Sequence, residues 1–589
     1  MSSGQHRHQR LGLVLVAVLA CSGAALVAKG LGLGTGLSVG IPEPLSLPKL
    51  AGGATPDGTV LGPSHGLGLD GKAPVGAPPG PGQLGMVQPG AGIFGSDAPS
   101  EIKDVETDAI CPGCDVVLIT VCSLRKDHLG AYGYASDVSP AIDALAKRGV
   151  RYERAYSASN FTLASLTAVL TGRYGSATGV TGWDKGLTMD VPTLAEVMGI
   201  YGYQTAAFTT DAPSGFRPDY GLDRGFQHME ITAPPRNSPD GRFRGGAKEP
   251  SGEAARPASE WLAAADEQPV FMMLHTRTAH FPFVVDPPED GADPTGMRQL
   301  LWEAGQAEAA GREDQAMPGM AGGTAQEGVV EIVRQDPLQV LVNQAGEPAS
   351  AVWRETYAEA VRLMDDDVAA IMQAITKRGR PTMVVLVADH GESLNDHGEL
   401  LHGDAFFDGV INVPLIISMP GLKAPGRSMD MVVSQTDILP TILEAVGASA
   451  PAGIDGVSLM STLQGDESPV HTVVLSEGGV ARLEDGVLPG AVITDPWILL
   501  KQRRGCGLTR TPGRGMMDEG MPVCLFNHDN DPGQQRSLSG NESKIASELL
   551  TRWRNFRAAH GRVGEQKTLS PAFIEELQRS GYDFSTGAP

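Results

Sequence analysis

The stretch DVVLITVCSLRKDHLGAYGY, residues 115–134, decides the fold. Its first seven residues are a continuous β-branched run, the pattern of a strand covered on both faces. A polar turn follows at once, and SPAIDALAKRGV, residues 139–150, then has helical spacing and a glycine stop. The same alternation continues along the chain. Strand-like runs occur at YQTAAFT (203–209), VFMMLH (270–275), TMVVLVA (382–388) and VPLIIS (413–418). Helical patterns lie between them, among them PTLAEVMGIYG (192–202) and RETYAEAVRLMDDDVAAIMQAITKRG (354–379). Strands alternating with helices predict an α/β fold: a largely parallel sheet with helices on both faces. Residues 285–350 are rich in Gly, Ala, Glu and Gln and are expected to form a surface insertion within a domain spanning 111–470. Beyond about residue 470 the helices thin out. HTVVLSE (471–477) and AVITDPWILLK (491–501) predict a smaller C-terminal α+β lobe over 471–589, closed by the helix SKIASELLTRWRNFRAA.

Towards the N-terminus the character changes. MSSGQHRHQR carries Arg7 and Arg10 and no acid, and LGLVLVAVLACSGAALVA (11–28) has no charge before Lys29. A basic start followed by a short apolar run has the form of a secretory signal. Cys21 after Val18-Leu19-Ala20 loosely fits a lipoprotein cleavage box, and the apolar run is also long enough for an uncleaved anchor. Each of these readings exports the chain, to the periplasm or the cell surface. Residues 30–110 are dominated by Gly, Pro, Ala and Leu without helical or strand period, as expected of a disordered linker tethering a catalytic body to a membrane. Across all 589 residues there are 75 Gly and 43 Pro, well above ordinary usage. Lys and Arg number 46 against 69 Asp and Glu, a net charge of −23. Without a basic block, such a chain is not expected to bind nucleic acid. Six Cys exclude a small disulfide-stapled scaffold. Cys111 and Cys114 are spaced for a local disulfide in an exported chain, and Cys506 and Cys524 for a staple across the segment between them.

Three segments place polar atoms just after a strand, where doubly wound sheets build their sites. In VADHGESLNDHGELLHGD (387–404), Asp389 and His390 stand at the mouth of an apolar strand and offer an oxygen and a nitrogen donor suited to a divalent metal. His397, His402 and the more distant His471 follow. In NFTLASLTAVLTGRYG (160–175), Thr162 stands where an N-cap would, so its hydroxyl is read either as a plain cap or as a nucleophile activated by a metal and the helix terminus. The third segment, VCSLRKDHLGAYGY, carries Cys122 and Arg125.

With these stretches, SPAIDALAKRGVRYERAYSAS, TLASLTAVLTGRY, HTRTAHFPF, ADHGESLNDHGELLHGDAFFDGVINVPLIISMPG, VVSQTDILPTIL and CLFNHDNDPGQQRSL, the chain resembles the sulfatase family of the alkaline-phosphatase superfamily over roughly residues 115–540. The resemblance implies a mixed-sheet α/β core, a metal-dependent nucleophile and attack on sulfate or phosphate esters. It places Asp389 and His390 on the metal-binding pair and Thr162 on the nucleophile. His280 falls on a substrate-contacting position, with His275 and His402 as neighbours; His280 or His402 would protonate the leaving alcohol. Two departures stand out. Thr162-Leu163-Ala164-Ser165-Leu166 lacks the Cys or Ser, the Pro and the Arg of formylglycine sulfatases, and Thr resembles instead the phosphoglycerol and phosphoethanolamine transferases of the superfamily. Cys122 stands where the family has Asp or Glu. It is either a thiolate ligand completing a set with Thr162, Asp389 and His390, or a small buried residue at a degraded site. Arg125 either pairs with the ester's anionic oxygens or makes a structural salt bridge. The implied cofactor is a divalent metal ion, Zn²⁺ or Mn²⁺ before Ca²⁺ or Mg²⁺. The implied partner is a sulfated or phosphorylated small molecule, glycan or lipid head group. The competing expectation is a non-catalytic relative that binds anionic glycans.

Overall fold

The computed structural model describes residues 109–568, with breaks at 211–215, 217–219, 233–253, 282, 284–292, 294, 310–341, 343–344, 404, 479–487, 504 and 507–515. The expected export signal (1–29) and nearly all of the linker (30–110) lie outside the described residues.

Strand β1 (Asp115–Val121) is buried along its whole length, as its unbroken apolar run requires. It lies inside an eight-stranded sheet with β2 (Val150–Tyr156), β3 (Gln204–Thr210), β4 (His228–Thr232), β5 (Val270–Thr276), β6 (Thr382–Ala388), β7 (Asn412–Ser418) and β8 (Arg427–Ser434). The strand order is β8-β2-β7-β6-β1-β5-β3-β4. Only β7 runs antiparallel to its neighbours, β6 and β2; the other pairings are parallel. The sheet is therefore mixed and largely parallel, as expected. Register matters most at its centre: Val121 lies opposite both Thr276 and Ala388. Three strands thus end at one level, and Cys122, Arg277 and Asp389 leave the sheet side by side.

The helices include α1 (Pro140–Ala146), α2 (Thr162–Thr171), α3 (Leu194–Ile200), α4 (Ala255–Ala264), α5 (Glu347–Arg378), α6 (Ile438–Val446) and α7 (Ser543–His560). Helix α5 starts seven residues before the expected position and ends against Gly379, whose φ of 72° is left-handed. It fixes several strand and helix ends. The Tyr357 hydroxyl donates to Ser123 O at 2.7 Å and accepts from Arg125 N–H at 2.8 Å. The Asp367 carboxylate accepts from the hydroxyls of Thr276 (2.9 Å) and Thr278 (2.8 Å). Asp365 accepts the backbone N–H groups of Ala141 and Ile142, two free donors at the start of α1. At the opposite end of the sheet Arg378 pairs with the buried Asp115 at 2.6 Å.

Residues 297–309, inside the expected surface insertion, form a helix with Met297 and Leu301 fully buried. The C-terminal region forms a five-stranded antiparallel sheet from β9 (Val474–Glu477), β10 (Gly490–Ile493), β11 (Trp497–Lys501), β12 (Met516–Asp518) and β13 (Met521–Asn527), in the order β9-β10-β11-β13-β12. Helix α7 covers it: Leu549, Leu550 and Trp553 pack with Leu475, Val492 and Leu499, and Trp553 Nε1–H donates to the buried Glu477 at 2.6 Å. Cys111–Cys114 and Cys506–Cys524 are disulfides, and Cys122 is a buried free thiol.

Candidate active site

Each central strand tip delivers a donor. Beyond β1, Cys122 is followed by Ser123 with φ 60°, a left-handed conformation rare for a non-glycine residue. The Tyr357 hydroxyl on Ser123 O stabilises this bend. Beyond β6, Asp389 Oδ1 accepts the N–H groups of Ser123 (3.1 Å) and His390 (2.6 Å). Gln435 holds the same tip from behind, donating Nε2–H to the carbonyls of Ala388 and Asp389 at 2.6 and 2.7 Å. The backbone passes close to Gly409 at Gly391, where a Cβ would sit 2.1 Å from Gly409 O.

Cys122 Sγ, an Asp389 carboxylate oxygen and a His390 ring nitrogen lie within 4.8 Å of one another, all buried. No nitrogen or oxygen donor reaches Asp389 Oδ2 among the described residues. His390 Nδ1 lies 2.8 Å from Gly391 O, so it carries the hydrogen and leaves a lone pair on Nε2. Burial pulls the His390 pKa down to about 4, despite Asp389. A neutral imidazole, a carboxylate oxygen with no N–H or O–H donor and a cysteine sulfur fit a borderline-soft divalent cation of the zinc class. They fit Ca²⁺ poorly, because it takes six to eight oxygens. Burial, and then the Asp389 charge, push the Cys122 thiol well above its ordinary pKa. Ligation would therefore displace its proton.

Thr162 joins this cluster. Its Oγ1 lies 3.5 Å from Cys122 Sγ and 3.3 Å from His390 Nε2. The expectation of an N-cap is corrected: Phe161 occupies the cap, in extended conformation, and Thr162 is the first helical residue. Its hydroxyl faces the strand tips instead of capping the helix. All ten residues of α2 are buried.

His275, on β5, is buried beside them. Its Nδ1 lies 3.0 Å from Thr120 Oγ1, and its Nε2 has no hydrogen-bond partner among the described residues. Burial lowers its pKa to about 4. His280 and His402 stand together: the His402 ring lies 4.2 Å from His390 and 5.1 Å from His280, centroid to centroid. Burial, and then Arg277 and His402, push His280 well below its ordinary pKa.

Arg125 does not join them. Its guanidinium donates to Asp127 (2.9 and 2.6 Å), to Glu392 O (3.0 Å) and to Asp396. Of the two readings of Arg125, these contacts match the structural salt bridge, since the fork is bound by two carboxylates and a carbonyl. His397 stacks on Phe407, and His471 pairs with Asp437; neither enters the cluster. Two residues at the site were not singled out from sequence. Arg277 follows β5, is buried, lies 3.1 Å from His280 Nδ1 and acts electrostatically on Cys122 and His275. Glu392 is buried, with its carboxylate 3.1 Å from His402 Nδ1, and burial pushes its pKa up to about 8.

Residues 115–448 match the family described as Sulfatase. A delta 4,5-hexuronate-2-O-sulfatase of Bacteroides thetaiotaomicron is 25% identical over 453 residues, covering 72% of this chain and 86% of that protein. An ulvan-active sulfatase of Formosa agariphila is 22% identical, covering 75% and 80%. The fold is shared with the phosphonate monoester hydrolase of Agrobacterium radiobacter, at a TM-score of 0.56 and 19% identity, covering 76% of this chain and 96% of that one.

Proposed function

The chain belongs to the sulfatase family, and from that premise we propose that it cleaves sulfate or phosphate esters with Thr162 as the attacking group. Cys122, Asp389 and His390 would hold a divalent cation. The observation that carries this reading is the Thr162 hydroxyl, buried and within 3.5 Å of both Cys122 Sγ and His390 Nε2. A cation bound there would supply Lewis acidity, which favours passage of the hydroxyl proton to a solvent water and offsets charge on the ester. Arg277 then faces the anionic oxygens as a donor, with His275 and His280 beside it. Thr162 Oγ attacks the sulfur or phosphorus, and the bond to the leaving alcohol breaks with its electron pair on the alcohol oxygen. His402 or His280 protonates that oxygen. Water or an acceptor hydroxyl releases the Thr162 ester. A threonine sulfate lacks the hemiacetal elimination route of formylglycine, whereas a phosphothreonine is displaced at phosphorus. This chemistry favours phosphoryl over sulfuryl transfer. The substrate would be an anionic glycan, lipid head group or small molecule met outside the cytoplasm, with residues 1–29 serving as a signal peptide or a membrane or lipoprotein anchor.

The test is hydrolysis of 4-nitrophenyl sulfate, a phosphomonoester and a phosphodiester by wild type, Thr162→Ala and Thr162→Ser. Wild type is expected to turn over at least one ester. Thr162→Ala should lose at least about 10³-fold in kcat, and Thr162→Ser should retain measurable activity. Equal rates in wild type and Thr162→Ala would remove Thr162 from the chemistry. The absence of an Arg after Thr162 favours a second reading, an anion-binding protein without turnover. Saturable binding of inorganic sulfate or phosphate with no hydrolysis of any of the three esters would establish it.

A further inference from the structure

Glu392 has no place in the chemistry described so far, yet its surroundings are built around it. It is fully buried, and both carboxylate oxygens face His402 Nδ1, at 3.1 and 3.3 Å. The backbone on either side is pinned. Glu392 N–H donates to Gly409 O at 3.0 Å. Glu392 O accepts from Arg125 Nη1, whose guanidinium is itself held by Asp127 and Asp396. The His402 side chain is fully buried and packs on His390 and His280. A buried carboxylate is costly to keep unless it is hydrogen-bonded. Here it meets an imidazole beside the candidate nucleophile. Such a pair fixes both the plane of the ring and which nitrogen faces the reacting atoms.

We propose that Glu392 is a positioning residue for His402: it holds Nδ1 and thereby presents Nε2 to the leaving oxygen of the ester. This rests on the reading of Thr162 given above. In the step it serves, a proton on Nε2 passes to the leaving oxygen as the sulfur–oxygen or phosphorus–oxygen bond breaks and the electron pair stays on oxygen, while Glu392 keeps its contact with Nδ1. Arg125 acts one step further out, through the Glu392 backbone.

Dependence on the leaving group tests this. An activated 4-nitrophenolate leaves without help, whereas an alkyl alkoxide needs its proton. Glu392→Gln and Glu392→Leu, the second in case a buried amide disturbs folding, are compared with wild type on 4-nitrophenyl and alkyl esters of the same acid. The expected result is a kcat loss of about 10–100-fold on the alkyl ester, within about threefold on the 4-nitrophenyl ester, and KM little changed. Equal losses on both esters would reduce Glu392 to a structural role and overturn the inference while leaving Thr162 as nucleophile. Loss of both activities in Thr162→Ala tests the underlying reading separately. Should wild type turn over neither ester, ring ¹⁵N resonances of His402, assigned with His402→Gln, decide the positioning claim. A shift at Nδ1 in both Glu392 variants supports it, and unchanged resonances overturn it.

Discussion

Cys122 shows how one side chain sets the chemistry available to a site. A sulfur beside a carboxylate oxygen and a neutral imidazole, all within 4.8 Å, selects against hard, oxygen-loving cations. Cys122→Ser should weaken Zn²⁺ binding by at least about tenfold, or ~1.4 kcal/mol. Cys122→Asp should shift preference towards Mn²⁺ or Mg²⁺. Competition titrations and the thiolate-to-metal absorption of the Co²⁺ form measure this. Identical Zn²⁺ affinity in wild type and Cys122→Ser would leave Cys122 as a small buried residue. Asp389 and His390 stood out because they follow an apolar strand directly, whereas Thr162, read from position alone as a helix cap, and Cys122 were marked as site residues by the family resemblance. For Arg125 the sequence offered a salt bridge beside ester binding, and its carboxylate partners are one near in sequence, Asp127, and one far, Asp396, 271 residues away. Glu392 lay in the most conspicuous motif, but its role appears only when His402, ten residues on, folds back over it.

Elements rather than residues explain why the site is held still. The registers of β1, β5 and β6 bring three tips to one level. Tyr357 and Asp367 on α5 then tie the first two, and Gln435 ties the third. The central strands were plain in sequence because burial on both faces leaves an uninterrupted apolar run. Strands β2 and β8 were less so. VRYERAY (150–156) alternates apolar residues with Arg and Glu at half-buried positions, and RSMDMVVS (427–434) opens with polar residues. Behind Gln435, in the same turn, the buried Asp437 carboxylate accepts the N–H of Ser434 at 2.8 Å and lies 2.9 Å from His471 Nε2. Burial lowers the His471 pKa, but the hydrogen bond and charge of Asp437 outweigh it, and the net shift is upward from 6.5. The folded state thus binds this proton more tightly than the unfolded chain. The stabilisation is complete below about pH 6.5 and is lost as pH rises through the folded pKa. Urea unfolding midpoints should therefore fall between pH 6 and 9 in wild type. They should fall less in His471→Gln, which should also be less stable by about 1.5–3 kcal/mol at pH 6. Parallel pH profiles for the two proteins would exclude His471 as the source.

At the scale of the whole molecule, cysteine usage bears on where the protein works. Four of the six Cys are paired in two disulfides, Cys122 is free and buried, and Cys21 lies outside the described residues. Disulfides persist in oxidising compartments and are rare in the cytosol. The Cys506–Cys524 bridge, spanning 18 residues, should contribute about 3 kcal/mol by restricting the unfolded chain. These bonds are what an exported chain is expected to carry, and they make export countable. Protein recovered from the cell envelope, denatured without reductant and alkylated, should label at Cys122 alone if Cys21 is removed or lipidated. It should label at Cys122 and Cys21 if the apolar run is kept as a free-thiol anchor. In either case labelling at Cys111, Cys114, Cys506 and Cys524 should appear only after reduction. Intact-mass spectrometry distinguishes one label from two, and a lipidated Cys21 adds the mass of its acyl chains. Labelling of all the cysteines without reductant would place the folded protein in a reducing compartment. A tethered enzyme at the cell surface would then be the wrong picture, whatever Thr162 does.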